Sequence, residues 1–248
     1  ALATRHPQFA DLRAIAAALS SLAGASFGVL AEGANGAGAY LAGAVPHREA
    51  GARAVAQSGL TVRDMLQKPL KACVLLGGIE PSIDALDPDS ASVFTRTELV
   101  VALTPFASEE LKRIAHVMLP IGTFAETSGT YVSCEGLWQS QTGAAAPLGA
   151  SRPGWKVLRV LGNLLKLPGF EYQSSEDVRE ELRALCATPA SQGYAGEHVV
   201  TPAGAASAAV AAGEVRVVDV PMYQTDALVR RAPSLQKTRE GRTGPAAY

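Results

Sequence analysis

The stretch Ala72-Cys73-Val74-Leu75-Leu76, closed by Gly77-Gly78, decides the fold class. Five apolar residues without polar alternation, bounded by a turn pair, describe a strand buried on both faces. Outward from it the pattern repeats. Glu98-Leu99-Val100-Val101-Ala102-Leu103 is a second such run, and Val117-Met118-Leu119 before Pro120 is a third. Between the last two, Ser108 precedes Glu109-Glu110 and an apolar-periodic segment through about Ala115, which predicts a capped helix with acidic residues matched to its dipole. Upstream, Thr61 with Asp64 three residues on is a capping-box signature for another helix. Strands alternating with helices predict an α/β fold with a doubly wound, mainly parallel sheet, whose ligands sit beyond the carboxyl ends of the strands.

The flanks carry further elements. Phe9, Leu12, Ile15, Ala16, Leu19 and Leu22 form one apolar stripe at helical spacing, ended by Gly24. Ser26 to Ala31 reads as a buried strand entering the glycine turn Glu32-Gly33-Ala34-Asn35-Gly36-Ala37-Gly38. The stretch from Gly122 to Gly149 reads as loop. Ser151-Arg152-Pro153 opens a helix with Trp155, Leu158, Leu161 and Leu165 on one side, stopped at Pro168-Gly169, and Ser175 caps another with Val178, Leu182 and Leu185 inward. The expected organisation is an α/β domain over 1–187, an Ala/Gly-rich linker over 188–213 and a C-terminal extension over 214–248. In that extension Val215 to Val220 could form a strand, and the basic run through Arg230, Arg231, Lys237, Arg239 and Arg242 could dock on an acidic partner, although a solvated end is the stronger reading.

Composition narrows the functional classes. In 248 residues there are 22 basic and 23 acidic side chains, a net charge of −1. Nucleic-acid binding by counterion release needs a clustered basic excess, so it is not expected. No apolar run reaches the length needed to span a bilayer, so no direct membrane insertion is expected. The chain starts at Ala1 and reads as a fragment of a longer cytosolic polypeptide. Cys73, Cys134 and Cys186 lack CxxC spacing and read as buried reduced thiols, too few for an iron–sulfur cluster. The four histidines include no i, i+4 pair, so no metal site is expected.

Two segments could still cradle a ligand. Gly33, Asn35 and Gly36 lie in a turn before a helix, where backbone N–H groups can meet an anion. The order of Gly33, Gly36 and Gly38 is neither the dinucleotide GxGxxG nor a P-loop, so a packing turn is the stronger reading and a free-standing nucleotide-binding module is disfavoured. The second segment is Glu126-Thr127-Ser128-Gly129-Thr130, dense in hydroxyls, which could hold an anionic or pterin-like group. It could equally be a self-satisfied loop in which Glu126 accepts from its own backbone.

The run Val117-Met118-Leu119-Pro120-Ile121-Gly122-Thr123-Phe124-Ala125-Glu126-Thr127-Ser128-Gly129-Thr130 resembles a characteristic stretch of the molybdopterin oxidoreductases. More narrowly, it is similar to the large iron–sulfur subunit of proton-pumping NADH:quinone oxidoreductase, respiratory complex I. The stretches Ala31 to Arg48, Arg152 to Leu165 and Asp226 to Thr238 point the same way and follow in the right order. The resemblance implies the C-terminal region of that large subunit, a structural part with no catalytic residue and no cofactor of its own. Any cofactor face would be a vestige at Gly33, Asn35, Gly36 and Glu126 to Thr130. It further implies [2Fe–2S] and [4Fe–4S] clusters in the N-terminal part of the full subunit, other peripheral-arm subunits as partners, and a peripheral location on the cytoplasmic side of the bacterial inner membrane. His116, Ser133 and Leu137 stand where the molybdoenzyme pattern usually has Asp, Asn and Arg. Loss of an amide and a guanidinium fork removes donors that an anionic pyranopterin would need. The alternative is a fragment of an active molybdopterin oxidoreductase such as a formate dehydrogenase.

Overall fold

The computed structural model describes residues 9–28, 33–68, 70–84, 88–187, 218–219, 222–242 and 246–247. In chain order the elements begin with helices α1 (Phe9–Ala23), α2 (Gly36–Leu41) and α3 (Val62–Gln67), then strand β1 (Ala72–Leu76) and the short helix α4 (Pro81–Asp84). A 3-10 segment over Pro88–Arg96 leads to β2 (Leu99–Thr104), α5 (Glu109–Ile114) and β3 (Val117–Pro120). A hairpin follows, β4 (Gly129–Val132) with β5 (Trp138–Gln141), then α6 (Gly154–Leu164) and α7 (Ser175–Cys186). The C-terminal region holds β6 (Val218–Asp219), α8 (Met222–Thr225) and β7 (Ala246–Ala247).

The three decisive apolar runs form one parallel sheet in the order β1-β2-β3, with Leu75 opposite Ala102 and Ala102 opposite Met118. A mixed α/β fold around a parallel sheet is therefore present. Cys73, Leu75, Val100, Ala102 and Met118 share one sheet face, and α5 with the 3-10 segment covers it: Leu111 and Ile114 pack there with Phe94 and Ala115. The helix lies where its cap puts it, since Ser108 Oγ accepts from the Leu111 N–H at 3.2 Å. His116 locks β2 to β3, because the Val100 N–H donates to its Nδ1 at 3.0 Å while its own N–H donates to the Val100 carbonyl at 2.8 Å. Among the described residues the opposite face is covered at its carboxyl end, where Gly154 of α6 meets Leu76 and Ile121. Toward its other end Val74, Leu99 and Val117 stay more than 40% exposed.

Several expectations need correction. The apolar stripe of α1 is outward: Leu12, Ile15, Leu19 and Leu22 are exposed, and Ala14, on the other side of the helix, is its buried residue. Periodicity reports that one face is apolar, not which face has a neighbour. Ser26 to Gly28 are not in a strand, and residues 29–32 of that expected run lie outside the described residues. The segment read as loop contains the β4–β5 hairpin, joined by a short turn with Gly136 at φ 82°. Helix α6 ends before Pro168, because Lys166 takes a left-handed φ of 57° and the Leu167 N–H returns to the Gly162 carbonyl at 3.0 Å. The expected linker, 188–213, lies outside the described residues. Of the expected strand near Val215, only Val218 and Asp219 are described as strand, paired antiparallel with Ala247 and Ala246.

The C-terminal run is the largest departure. Arg230 is nearly buried and Arg231 mostly so, in ion pairs with Glu80 and Asp84. A solvated end is therefore wrong for these two arginines.

Candidate functional site

The two suspected ligand segments come together. Asn35 caps α2 from outside without a side-chain bond to it. Its Oδ1 instead accepts from the Val132 N–H of β4 at 2.8 Å, across 97 positions of sequence. Gly38 makes this possible, since a Cβ there would lie 2.0 Å from Asn35 Oδ1. Gly33, at φ 78°, and Gly36 then face Val132, Ser133 and Cys134 across an open cleft of about 220 Å³. Ser133 is consumed locally, its Oγ accepting from the N–H groups of Glu135 and Leu137. Cys134 is exposed, which corrects the expectation of a buried thiol, while Cys73 and Cys186 are partly buried and burial raises both thiol pKa values.

Of Glu126 to Thr130, Glu126 and Ser128 border a different cleft, about 290 Å³, with Gly143, Trp155, Lys156 and Glu176 on its other walls. The Glu126 carboxylate is engaged by its own chain. The Thr123 N–H (2.8 Å), the Thr123 hydroxyl (3.0 Å) and the Leu148 N–H (3.0 Å) all donate to it. These bonds, the Thr123 backbone first and its hydroxyl second, hold its pKa below the usual carboxylate range. Ser128 bonds Ser175 at the start of α7 (2.9 Å), and Thr130 bonds Ser140 across the hairpin (2.9 Å). Gly129 opens β4 opposite Gln141. Of the five residues, Thr127 alone keeps a buried oxygen with no partner among the described residues, and nearby Trp155 Nε1 is likewise unpartnered. The self-satisfied loop is thus the geometry present at Glu126.

The hairpin and α7 hold the cleft's outer wall. Ser174, one residue before the expected cap Ser175, caps α7 by accepting from the Asp177 N–H at 3.1 Å, and the Asp177 carboxylate accepts from the Ser174 N–H at 3.0 Å. Arg179 Nη1 reaches Ser140 Oγ at 3.1 Å, and Arg183 lies 5.4 Å from the centre of the Trp138 ring. Tyr172 donates to Glu181 at 2.7 Å, a bond that with burial pushes its pKa up to about 12.

A family profile described as molybdopterin oxidoreductase matches residues 3–164, which is more than half of the chain. The chain belongs to the molybdopterin oxidoreductase family. Among relatives, the NADPH-Fe(3+) oxidoreductase subunit alpha of Geobacter sulfurreducens is 32% identical over 124 residues, half of this chain and 14% of that protein. The mitochondrial NADH-ubiquinone oxidoreductase 78 kDa subunit of Candida albicans is 45% identical over 56 residues, 22% of this chain and 8% of that one. The NADH-ubiquinone oxidoreductase 75 kDa subunit of Reclinomonas americana is 36% identical over 74 residues, 29% of this chain and 10% of that one. The chain therefore spans a small part of the length of these relatives.

A molybdopterin oxidoreductase invites the question of whether these residues suit a pyranopterin, which carries phosphate and an anionic dithiolene. They fit it poorly. The larger cleft offers Glu126 and Glu176 against one cation, Lys156, whose ammonium lies 5.4 Å from the Trp155 ring centre. Two carboxylates against one ammonium repel an anion. The smaller cleft is lined, among the described residues, by Gly33, Ala34, Gly36, Ala37, Val132, Ser133 and Cys134, with no cationic side chain to meet an anion. Among the described residues no three His, Cys, Asp or Glu gather as a metal site, and no helix is long and apolar enough to cross a membrane.

Sequence reading offered the basic tail an acidic partner but did not find that the partner lies within the chain, in the cluster Glu80, Asp84, Arg230 and Arg231. Arg230 and Asp84 stand 146 positions apart. Nothing local marks them as partners; the only cue was acidic residues following a strand's glycine stop, with an arginine pair elsewhere.

Proposed function

We propose that the chain is a structural region, without a cofactor of its own, of the large iron–sulfur subunit of an NADH:quinone oxidoreductase. In this reading electrons pass from NADH through [2Fe–2S] and [4Fe–4S] clusters outside this segment to quinone, coupled to proton translocation. The segment itself supplies no carrier. It buttresses the cluster-bearing part against neighbouring peripheral-arm subunits, at the cytoplasmic side of the inner membrane. The half-covered sheet supports that role, because its bare apolar strip takes a second layer from elsewhere in the assembly and so completes a doubly wound sheet. The observation that carries the absence of a cofactor is Glu126, whose carboxylate is tied to its own backbone in a cleft with a second carboxylate.

The test is elemental and pterin analysis of the purified chain and of the complex containing it. Iron with neither molybdenum nor pterin in the complex is the expected result; stoichiometric molybdenum or pterin overturns the proposal. A tagged chain should also co-migrate with NADH:quinone oxidoreductase activity on a native gel. The match to the Geobacter NADPH-Fe(3+) oxidoreductase subunit, longer than either NADH-ubiquinone match, favours a second reading as part of a different NAD(P)H-linked reductase. Tag-associated activity that reduces ferric iron and not quinone would select it.

A further inference from the structure

The carboxyl ends of β1 and β2 are where a parallel sheet presents its ligand edge. Here Gly77-Gly78 leave β1, Glu80 and Asp84 follow on and around α4, and Phe106 follows β2. Five polar contacts converge on this edge from the C-terminal region. Arg230 Nη1 and Nη2 donate to Asp84 Oδ1 and Oδ2 at 2.9 and 3.1 Å, a two-pronged pair. Arg230 Nε lies 3.1 Å from Glu80 Oε2 as a charge contact. Arg231 Nη2 lies 3.0 Å from Glu80 Oε1 and donates to the Gly78 carbonyl at 3.2 Å. The Arg231 guanidinium also stacks 4.4 Å from the centre of the Phe106 ring.

The arginines are presented by a segment folded on itself. Asp226 accepts from the N–H groups of Val229 and Leu228 at 2.8 and 2.9 Å, and Gln236 Nε2 donates to the carbonyls of Val229 and Tyr223. Two carboxylates, a carbonyl and an aromatic face make a receptor for guanidinium groups: lysine would lose the fork and the stacking. A phosphate or nucleotide would meet Glu80 and Asp84 instead.

We infer that Gly78, Glu80, Asp84 and Phe106 form a docking notch for an arginine pair, filled by Arg230-Arg231 of the same chain, so that the C-terminal segment occupies the sheet's ligand edge in place of a small molecule. Two long, flexible cations held with little solvent exposure are costly unless their partners are in place, so the segment and the notch are matched to one another. The notch is a site for peptide, and its occupant is the segment 222–238.

The test uses the full chain with Arg230→Ala and Arg231→Ala together, which empties the notch, and a labelled synthetic peptide of residues 222–238. The emptied variant should bind the peptide at least about tenfold more tightly than the parent chain, whose notch is already filled. Adding Glu80→Gln and Asp84→Asn should abolish that binding, and a peptide with lysine for both arginines should bind more weakly. Equal binding by the parent and emptied chains, or no binding by an emptied chain whose circular dichroism matches the parent, overturns the inference. If the emptied variant does not fold, the parent chain is given a protease site near residue 204 and cut. Co-elution of the two pieces, disrupted by the carboxylate substitutions, supports the notch; separation of the cut parent overturns it. A doubled mass for the uncut parent would show the arginines docking between two copies and overturn docking within one chain.

Discussion

At Tyr172 a hydrogen bond, with burial, raises the titration of the phenol. Its hydroxyl donates to Glu181, and ionising the phenol would both lose that bond and set two negative charges side by side, which is why its pKa rises to about 12. A pKa raised in the folded state favours the protonated phenol, so this contribution to stability is complete below the ordinary tyrosine pKa near 10 and is lost as pH climbs from there toward about 12. Ultraviolet titration should find one of the six tyrosines ionising near 12, and Tyr172→Phe should remove that late step. A titration in which all tyrosines ionise together near 10 would contradict the bond. Glu126 shows the opposite sign. Its depressed pKa makes its contribution present at neutral pH and lost as pH falls through the folded value, so Glu126→Gln should flatten the acid limb of a stability–pH curve. An acid limb unchanged by the substitution would mean that the Thr123 and Leu148 bonds do not form in solution.

Helix α6 illustrates what an element adds. Its apolar residues Val157, Leu158 and Leu161 are only partly buried, yet its start is tied to the end of the sheet, with Gly122 N–H donating to the Arg152 carbonyl at 2.9 Å. Its far end depends on Gly162, where a Cβ would sit 2.2 Å from the Phe170 ring, so the chain folds back tightly after the helix. Trp155 stands between these, half-buried beside the larger cleft with its indole nitrogen unpartnered. Full burial of a tryptophan would make truncation to alanine cost about 3–5 kcal/mol. Partial burial and an unsatisfied N–H argue for less, so Trp155→Ala should destabilise by about 2 kcal/mol in a denaturant melt. A loss below about 0.5 kcal/mol would show a side chain lying on the surface.

Across the whole molecule, apolar surface and tertiary ties are unevenly placed. The outward stripe of α1 and the strip of Val74, Leu99 and Val117 leave two apolar faces in solvent among the described residues. The isolated chain should therefore enhance the fluorescence of an apolar probe such as ANS at neutral pH while still melting cooperatively. Assembly with its partners should suppress the signal; no signal from the isolated chain would mean that those faces are covered within it.

Local sequence determined the elements whose signals are local. Apolar runs marked β1, β2 and β3 because a strand covered on both faces cannot carry polar alternation, and Thr61 and Ser108 marked helix starts because a side-chain oxygen must meet an orphan N–H within three residues. The ordered run through Glu126 to Thr130 also carried the family. Its chemistry was legible only as a choice, because Leu148, which completes the Glu126 carboxylate's partners, lies 22 positions away. The tertiary structure decided the rest: that Asn35 spends its side chain on Val132, that the α1 stripe faces outward, and that Arg230 and Arg231 close the edge of the sheet. Each of these depends on which distant surface arrives beside a residue. That is a free-energy balance of the whole chain, and no window of neighbouring residues contains it.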